Sequence, residues 1–312
     1  MSDRRPLRVK RMAWEAPGVL SVDLVAPDGA ALPAWEAGSH IDLHLPAAPI
    51  RQYSLCGNPD DRSTWRIAVR EVLGGVVSGL VHKALRPGAM VEAEGPRNSF
   101  PLVPSPSYLF IAGGIGITPI LPMLRAAQRM GAQATLLFCV KRAEDAPFLD
   151  TARGLCQVVL HCSAEGTRLD VAARLATAQP GTLLYCCGPA PLMTAVEAAA
   201  AHWPDGSLRF EWFAPKARPD GEGAGAFDVV CARSARTLRV EAGTSVLSAL
   251  RGAGLDLPSS CEQGVCGTCE CRVLEGEVEH RDSILSASER AANAAMMTCV
   301  SRAKGARLVL DI

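Results

Sequence analysis

Hydrophobic and polar positions alternate in short segments between Leu7 and about Leu102. Examples are LRVKRM, HIDLHL and WRIAVREV, which are separated by Pro and Gly residues. A period of two is typical of strands that bury one face, and the intervening turn residues favour antiparallel connections. The pattern predicts an antiparallel β-barrel domain over residues 1–103.

Beyond Ser105 the segments lengthen, and strand-like and helix-like stretches take turns. The predicted strands are SYLFIAGG, ATLLFCVK, LCQVVLHC and TLLYCCGP, and the predicted helices are TPILPMLRAAQRMG, residues 146–153, LDVAARLATA and PLMTAVEAAAAHW. This alternation indicates parallel βαβ units, hence an α/β parallel-sheet domain over residues 104–213. Such sheets bind ligands at the carboxyl ends of their strands.

A run rich in Pro, Gly and charge, PKARPDGEGAGA, follows the α/β pattern and predicts a linker over residues 214–226. From Phe227 two further strands, FDVVCA and RTLRVEA, precede a predicted helix at Ser245–Ala253. A cysteine-rich loop comes next. We therefore expect a third domain over residues 227–312.

Composition narrows the function classes. The 312 residues exceed one ordinary domain, and Lys+Arg and Asp+Glu both total 32, so no net field favours nucleic acid. No apolar run approaches the length of a membrane span, and the first residues lack a secretory signal. With 12 cysteines and no such signal, the pattern predicts a cytoplasmic protein in a reducing compartment, binding neither nucleic acid nor membrane.

The segment SSCEQGVCGTCEC carries the most specific motif. It gives the spacing C-x4-C-x2-C, and one more cysteine in MMTCVS lies well downstream. This is the plant-type ferredoxin pattern, in which four thiolates hold two irons. The predicted cluster ligands are Cys261, Cys266, Cys269 and Cys299.

The alternative for these cysteines is structural zinc, although zinc sites usually show two paired knuckles rather than a triplet and a distant single. Gly264 and Gly267 allow the backbone to fold around a cluster with its amides towards the sulfurs. The fifth cysteine, Cys271, is predicted to face away from the loop and to pack.

A strand that runs into a glycine loop and then a helix, in FIAGGIGITPILPML, suits a nucleotide pyrophosphate. Gly114 and Gly116 permit close approach, Thr118 offers a hydroxyl, and Pro119 suits a first helical turn. The motif departs from G-x-G-x-x-G, and a turn without ligand is the alternative.

The segment YCCGPAPLM repeats this arrangement after a later strand. Cys187, Gly188 and Pro189 precede its helix. The Cys187 thiol is a candidate neighbour of a nicotinamide ring, and plain packing is the alternative.

In PIRQYSLCGNP, strand alternation places Arg51 and Tyr53 on one face, suited to gripping a phosphate and stacking on an aromatic ring, with Ser54 beside them. In GGVVSGLVH, Gly75 and Ser78 offer an amide and a hydroxyl to a phosphate. An exposed Arg and a packing Tyr are the alternative for the first segment.

In order along the chain, RQYSL, GPRNSFPL, GGIGITPI, CCGP and SCEQGVCGTC resemble the phthalate dioxygenase reductase family, which serves Rieske-type oxygenases and includes vanillate demethylase reductases. The resemblance implies a ferredoxin-reductase-like barrel that binds FMN, an α/β domain that binds NADH, and a β-grasp [2Fe-2S] ferredoxin domain.

The resemblance also assigns roles to residues. GGVVS corresponds to the family's phosphate loop, where a typical member reads R-G-G-S. Phe213 lies where the second domain ends near the flavin. The implied cofactor-binding residues are Arg51, Tyr53, Ser54, Leu55, Gly75, Ser78, Gly114, Gly116, Thr118, Pro119, Cys187, Gly188, Pro189 and Phe213.

By the same resemblance, electrons pass from NADH through FMN and [2Fe-2S] to a Rieske-type oxygenase, and the protein is a monomer. NADH is preferred over NADPH, although Lys141 and Arg142 follow a strand where a 2′-phosphate would lie. The alternatives are a cytochrome P450 as acceptor, or a non-catalytic redox sensor.

Overall fold

The computed structural model describes residues 4–216 and 225–312. The chain forms two compact units, one ending at Glu211 and the other beginning at Trp212. The first unit contains two sheets and the second unit contains the cysteine loop.

The first sheet of the first unit is antiparallel and curled, which confirms the predicted barrel. Its strand order is β4-β3-β6-β1-β2-β5. The two edge strands are β4 and β5, and they are linked because the amide of Cys56, just after β4, donates to the carbonyl of Arg66 in β5 at 2.8 Å. Alternating residues fill the interior, including the fully buried Trp65 and Ile41. The elements are β1 (Arg4–Ala16), β2 (Val19–Val25), β3 (Ser39–His44), β4 (Arg51–Ser54), β5 (Trp65–Arg70), α1 (Val76–Lys83) and β6 (Met90–Asn98).

The second sheet is parallel throughout, in the order β11-β10-β7-β8-β9, as the βαβ pattern predicts. The central strand is buried from Tyr108 to Gly113, because helices cover parallel sheets on both faces. The elements are β7 (Ser107–Gly113), α2 (Ile117–Arg129), β8 (Gln133–Val140), α3 (Leu149–Arg153), β9 (Gln157–Cys162), α4 (Val171–Leu175), β10 (Thr182–Cys187), α5 (Ala190–Ala199) and β11 (Leu208–Glu211).

Two helices of this sheet are shorter than their sequence patterns. α3 begins only at Leu149, because Phe148 adopts a left-handed conformation with φ of 59° and interrupts the predicted 146–153 segment. α4 has five residues, and the side chain of Asp170 caps it by accepting from the amide of Ala173 at 3.0 Å.

The second unit has the predicted β-grasp arrangement, a five-stranded mixed sheet in the order β13-β12-β18-β14-β16 with β12 and β18 parallel. The predicted helix at Ser245–Ala253 is present, with Ser245 as its N-cap and Ala253 as its C-cap. The elements are β12 (Phe227–Cys231), β13 (Arg236–Val240), α6 (Val246–Gly252), β14 (Glu270–Glu275), β15 (Val278–Glu279), α7 (Ala287–Ala292), β16 (Ala295–Met297), β17 (Arg302–Ala303) and β18 (Arg307–Leu310).

The predicted domain limits at 103/104 and the predicted linker at 214–226 stay predictions. Residues 217–224 of that linker lie outside the described residues. In the described part of the chain, every helix is too short or too polar to cross a lipid bilayer.

Candidate functional site

The four predicted cluster cysteines form two hydrogen-bonded pairs. In the first pair the shared hydrogen bond lowers the pKa of Cys266 and raises the pKa of Cys261. In the second pair it lowers the pKa of Cys269 and raises the pKa of Cys299. Cys266, Cys269 and Cys299 are buried, while Cys261 is partly exposed. The fold therefore brings the downstream cysteine to the loop that carries the other three.

Backbone amides of the loop point at these sulfurs. The amide of Gln263 lies 3.3 Å from Sγ of Cys261, and the amide of Val265 bonds the same sulfur. Gly264, with φ of +71°, has no room for a Cβ, which would lie 2.6 Å from Cγ2 of Val300. Four thiols ringed by amides suit an iron–sulfur cluster.

Across residues 4–216 and 225–312, no three His, Cys, Asp or Glu side chains are grouped so as to hold a single metal ion. The assignment of the four cysteines as cluster ligands stays a prediction. Cys271 is buried in the main core of the second unit with Val273 and Met296, whereas Cys269 and Cys299 pack in a separate small group. Its predicted packing role is confirmed.

A cavity of about 740 Å³ lies in the first unit at the carboxyl ends of β7, β8 and β9 and beside the start of α5. This is the edge at which the parallel sheet predicts ligand binding. Of the predicted nucleotide residues, Gly114 and Pro189 line the cavity.

The other predicted nucleotide residues lie behind the wall of this cavity. Gly116 packs so closely on β10 that a Cβ there would lie 2.2 Å from the carbonyl oxygen of Cys187. Gly188 packs on Gly113, since a Cβ on Gly188 would lie 3.0 Å from the Cα and the amide nitrogen of Gly113. Thr118 is buried and donates its hydroxyl to the carbonyl of Ile115 at 3.0 Å. Pro119 and Cys187 are also buried.

Several residues of the cavity were not singled out by the sequence. Asp145 follows β8, while His161, Arg168 and Asp170 follow or end β9. Lys141 also lines the cavity, whereas Arg142 turns away and pairs with Glu144 at 3.0 Å. These residues come from loops without a motif, so only the register of the parallel strands brings them together.

The predicted flavin residues Arg51, Tyr53 and Ser54 lie on β4, with Arg51 exposed and Tyr53 partly buried. Burial raises the pKa of Tyr53 to about 12, so its phenol keeps its proton at neutral pH. Leu55 is fully buried in the barrel core, and its amide donates to the carbonyl of Ser39 at 2.8 Å.

In the predicted phosphate loop, Gly75 is the N-cap of α1. The hydroxyl of Ser78 accepts from the amide of Val72 at 3.1 Å and lies 3.4 Å from the carbonyl of Gly75. It therefore closes the turn before α1, and its role as a phosphate ligand stays a prediction. Phe213, 43% exposed, belongs to the second unit, and its flavin role also stays a prediction.

Glu211 was missed by sequence reasoning. It ends β11, and its carboxylate accepts a hydrogen bond from the hydroxyl of Ser54 at 3.3 Å. Burial raises the pKa of Glu211 to about 8, and the Ser54 hydroxyl offsets this only in part. Its charge also contributes to the raised pKa of the buried Cys187. Because 157 positions separate Ser54 from Glu211, no local pattern could have paired them.

Replacing Glu211 by Gln should stabilise the first unit increasingly as pH rises from about 5 to 8. Between about pH 5 and 8, Glu211 keeps its proton in the folded protein, whereas the same residue in the unfolded chain has lost it. The free energy of unfolding of the wild type therefore falls as pH rises, by at most about 1.4 kcal/mol per pH unit. Calorimetric unfolding at several pH values measures this. Glu36→Gln, at an exposed carboxyl, is the control. A pH-independent difference between Glu211→Gln and wild type would show that Glu211 ionises normally.

Family models match two parts of the chain. One, described as an oxidoreductase FAD-binding domain, matches residues 23–101. The other, described as a 2Fe-2S iron-sulfur cluster binding domain, matches residues 229–304. The second match favours an iron–sulfur cluster over structural zinc for the cysteine loop.

Full-length relatives and solved structures agree with these matches. The chain is 43% identical to "Phenoxybenzoate dioxygenase subunit beta" of Ectopseudomonas oleovorans, covering 98% of this chain and 97% of the relative. It is 38% identical to "Vanillate O-demethylase oxidoreductase" of a Pseudomonas strain, covering 97% and 98%.

Among solved structures, phthalate dioxygenase reductase matches with a TM-score of 0.69 and 34% identity, over 99% of this chain and 98% of that chain. An intact type IV self-sufficient cytochrome P450 monooxygenase matches with a TM-score of 0.90 and 41% identity. The match covers 99% of this chain but only 41% of the longer P450 chain.

Proposed function

The chain belongs to the phthalate dioxygenase reductase family, and we propose that it is an NADH-dependent reductase whose electrons pass through FMN and [2Fe-2S] to a Rieske-type oxygenase. The observation that carries this proposal is the presence, in one chain, of the flavin barrel, the cavity at the parallel sheet and the four-cysteine loop. A non-catalytic redox sensor would not need all three.

The bound cofactors supply the redox chemistry, since nicotinamide gives two electrons together, a [2Fe-2S] cluster takes one at a time, and flavin does both. The chain's own residues bind and orient these groups. Gly114 and Pro189 form the wall of the cavity that would receive the dinucleotide. Tyr53 keeps a protonated phenol beside the predicted flavin site, and Arg51 offers a cation to its phosphate.

The charges of the cavity support NADH over NADPH. Asp145 and Asp170 line it together with Lys141 and Arg168, so the cations there have acidic neighbours. Carboxylates accept hydrogen bonds from ribose hydroxyls and repel a 2′-phosphate. Arg142, the other candidate for gripping that phosphate, is paired with Glu144 outside the cavity lining.

FMN as the flavin follows from the family resemblance. We also propose that the protein acts as a cytoplasmic monomer. None of the twelve cysteines, which all lie in the described part of the chain, forms a disulfide, which supports a reducing compartment.

The second candidate acceptor is a cytochrome P450. It is favoured by the match of nearly the whole chain to part of a self-sufficient P450. The Rieske-type oxygenase remains our first choice because the dioxygenase and demethylase relatives match over their full lengths.

The test is a visible spectrum of the purified protein with iron and sulfide analysis, followed by anaerobic titration with NADH and, separately, NADPH. We expect two irons per chain, FMN rather than FAD on release by denaturation, and bleaching of flavin and cluster at lower concentrations of NADH than of NADPH. Absence of iron, of flavin, or of bleaching by either nucleotide would overturn the proposal. Reduction of a purified Rieske oxygenase, compared with a P450, separates the two acceptors.

A further inference from the structure

A charged clamp straddles the first cysteine of the cluster loop. We define the clamp as Arg251, Ser259 and Glu262. The guanidinium of Arg251, in the last turn of α6, donates from Nη1 to Oε1 of Glu262 at 2.6 Å and from Nη2 to Oγ of Ser259. Ser259 precedes Cys261 by two residues and Glu262 follows it by one. One side chain therefore holds the backbone on both sides of Cys261.

The backbone conformation of Glu262 is the feature on which the clamp would act. The cluster loop contains three residues with positive φ, namely Glu262 at 52°, Gly264 at 71° and Gly267 at 78°. Two are glycines, which take up this conformation freely. Glu262 has a Cβ and disfavours it. Its carboxylate is held by Arg251.

The turn at Glu262 directs the backbone that follows. The amide of Gln263 lies 3.3 Å from Sγ of Cys261, and the amide of Val265 also bonds that sulfur. The amide of Gly264 bonds the sulfur of Cys299. Hydrogen bonds to cluster sulfurs stabilise the more negative, reduced state and orient the ligands.

We propose that Arg251 is a positioning residue for the cluster: through Ser259 and Glu262 it holds the turn that aims loop amides at the sulfurs. This inference rests on the proposed function, because it requires the cysteines to hold [2Fe-2S]. The clamp should raise the reduction potential of the cluster and slow its loss of iron.

The expected effect is local. The Arg251–Glu262 pair is exposed, 43% and 51% by side chain, and exposed ion pairs contribute little to the stability of a whole domain. A purely structural ion pair would change neither potential nor iron release. Changes in reduction potential and iron release therefore separate a role in positioning the cluster loop from a role in stabilising the domain.

The test compares Arg251→Ala with Arg239→Ala in the full-length holoprotein. Arg239 makes an ion pair of similar exposure with Asp228 at 3.0 Å, on the sheet of the same unit and outside the clamp. We expect iron release to a ferrous chelator to be about tenfold faster in Arg251→Ala, as is typical when an outer partner of a metal ligand is lost. Its reduction potential, measured by spectroelectrochemistry, should fall. Both properties should stay at wild-type values in Arg239→Ala.

Two further variants separate geometry from charge. Arg251→Lys keeps the charge but not the fork that reaches two acceptors, and it should resemble Arg251→Ala. In Glu262→Gly, the glycine adopts positive φ without help from the clamp. Adding Arg251→Ala to this variant should therefore change the reduction potential and iron release less than Arg251→Ala changes them in the wild-type protein.

Equal behaviour of Arg251→Ala and Arg239→Ala would overturn this proposal alone. So would an undiminished effect of Arg251→Ala in the Glu262→Gly background. Wild-type protein without a [2Fe-2S] spectrum would overturn the proposed function as well, so the two failures are distinguishable.

Discussion

Replacing Cys266 by Ser is expected to lower electron transfer to one-electron protein acceptors by more than about 100-fold, while NADH still reduces the flavin at the wild-type rate. Losing an outer partner of a metal ligand already costs roughly 10- to 100-fold, and loss of a ligand should exceed that. Cys266 is buried in the cysteine loop between Cys261 and Cys269, and iron binds the thiolate form of such a side chain. A serine hydroxyl at this position would stay protonated.

Stopped-flow measurement reports the reduction of the flavin by NADH. Steady-state reduction of cytochrome c reports electron transfer to a one-electron protein acceptor. Cys271→Ser is the matched control, because Cys271 is similarly buried in the same unit but lies in its main core. We expect the control to keep both activities. Unchanged acceptor reduction in Cys266→Ser would show that the cluster is not on the electron path.

Replacing Gly116 by Ala should weaken NADH-dependent flavin reduction by one to two orders of magnitude. The new Cβ would lie 2.2 Å from the carbonyl oxygen and 2.5 Å from the carbonyl carbon of Cys187, and both are backbone atoms of β10. The start of α2 must then move away from the end of β10, which distorts the wall of the dinucleotide cavity. Overpacking of this kind costs about 1–3 kcal/mol of folding free energy, and a loss of similar size in nucleotide binding would be about one to two orders of magnitude in affinity.

Gly154→Ala is the control in the same unit, because φ of −72° at the end of α3 accepts alanine and its Cβ would make only ordinary contacts, at 3.5 Å or more. Anaerobic NADH titration measures nucleotide affinity, and photochemical reduction shows that the flavin and cluster of Gly116→Ala are intact. If Gly116→Ala binds and oxidises NADH as Gly154→Ala does, the contact between the two loops does not shape the nucleotide site.

The sequence predicts the sites whose residues are adjacent in the chain. The cysteine spacing predicts the cluster loop, and the glycines at 113–116 predict the turn before α2, because in each case a tight turn requires particular residue types at fixed positions. The alternation of strand and helix patterns likewise predicts the barrel and the parallel sheet, whereas the β-grasp unit is implied by the resemblance to the reductase family.

The sequence does not predict contacts that tertiary packing creates. Glu211 meets Ser54 only because the end of β11 reaches β4, and Arg251 meets Glu262 only because the loop turns back on α6. A local pattern also does not show which of two possible partners a side chain has. Ser78 is a predicted phosphate ligand by sequence, and only the fold shows that its hydroxyl also accepts from the amide of Val72 in the turn beside it.

The strand order of the second unit has a consequence for biosynthesis. β18 lies between β12 and β14, so the last strand of the unit to leave the ribosome occupies the middle of its sheet. Domains fold as units while synthesis proceeds from the N-terminus, so the barrel and the parallel sheet are complete first. The β-grasp sheet closes only after Leu310 has emerged, so we expect iron to enter the unit after its translation is complete.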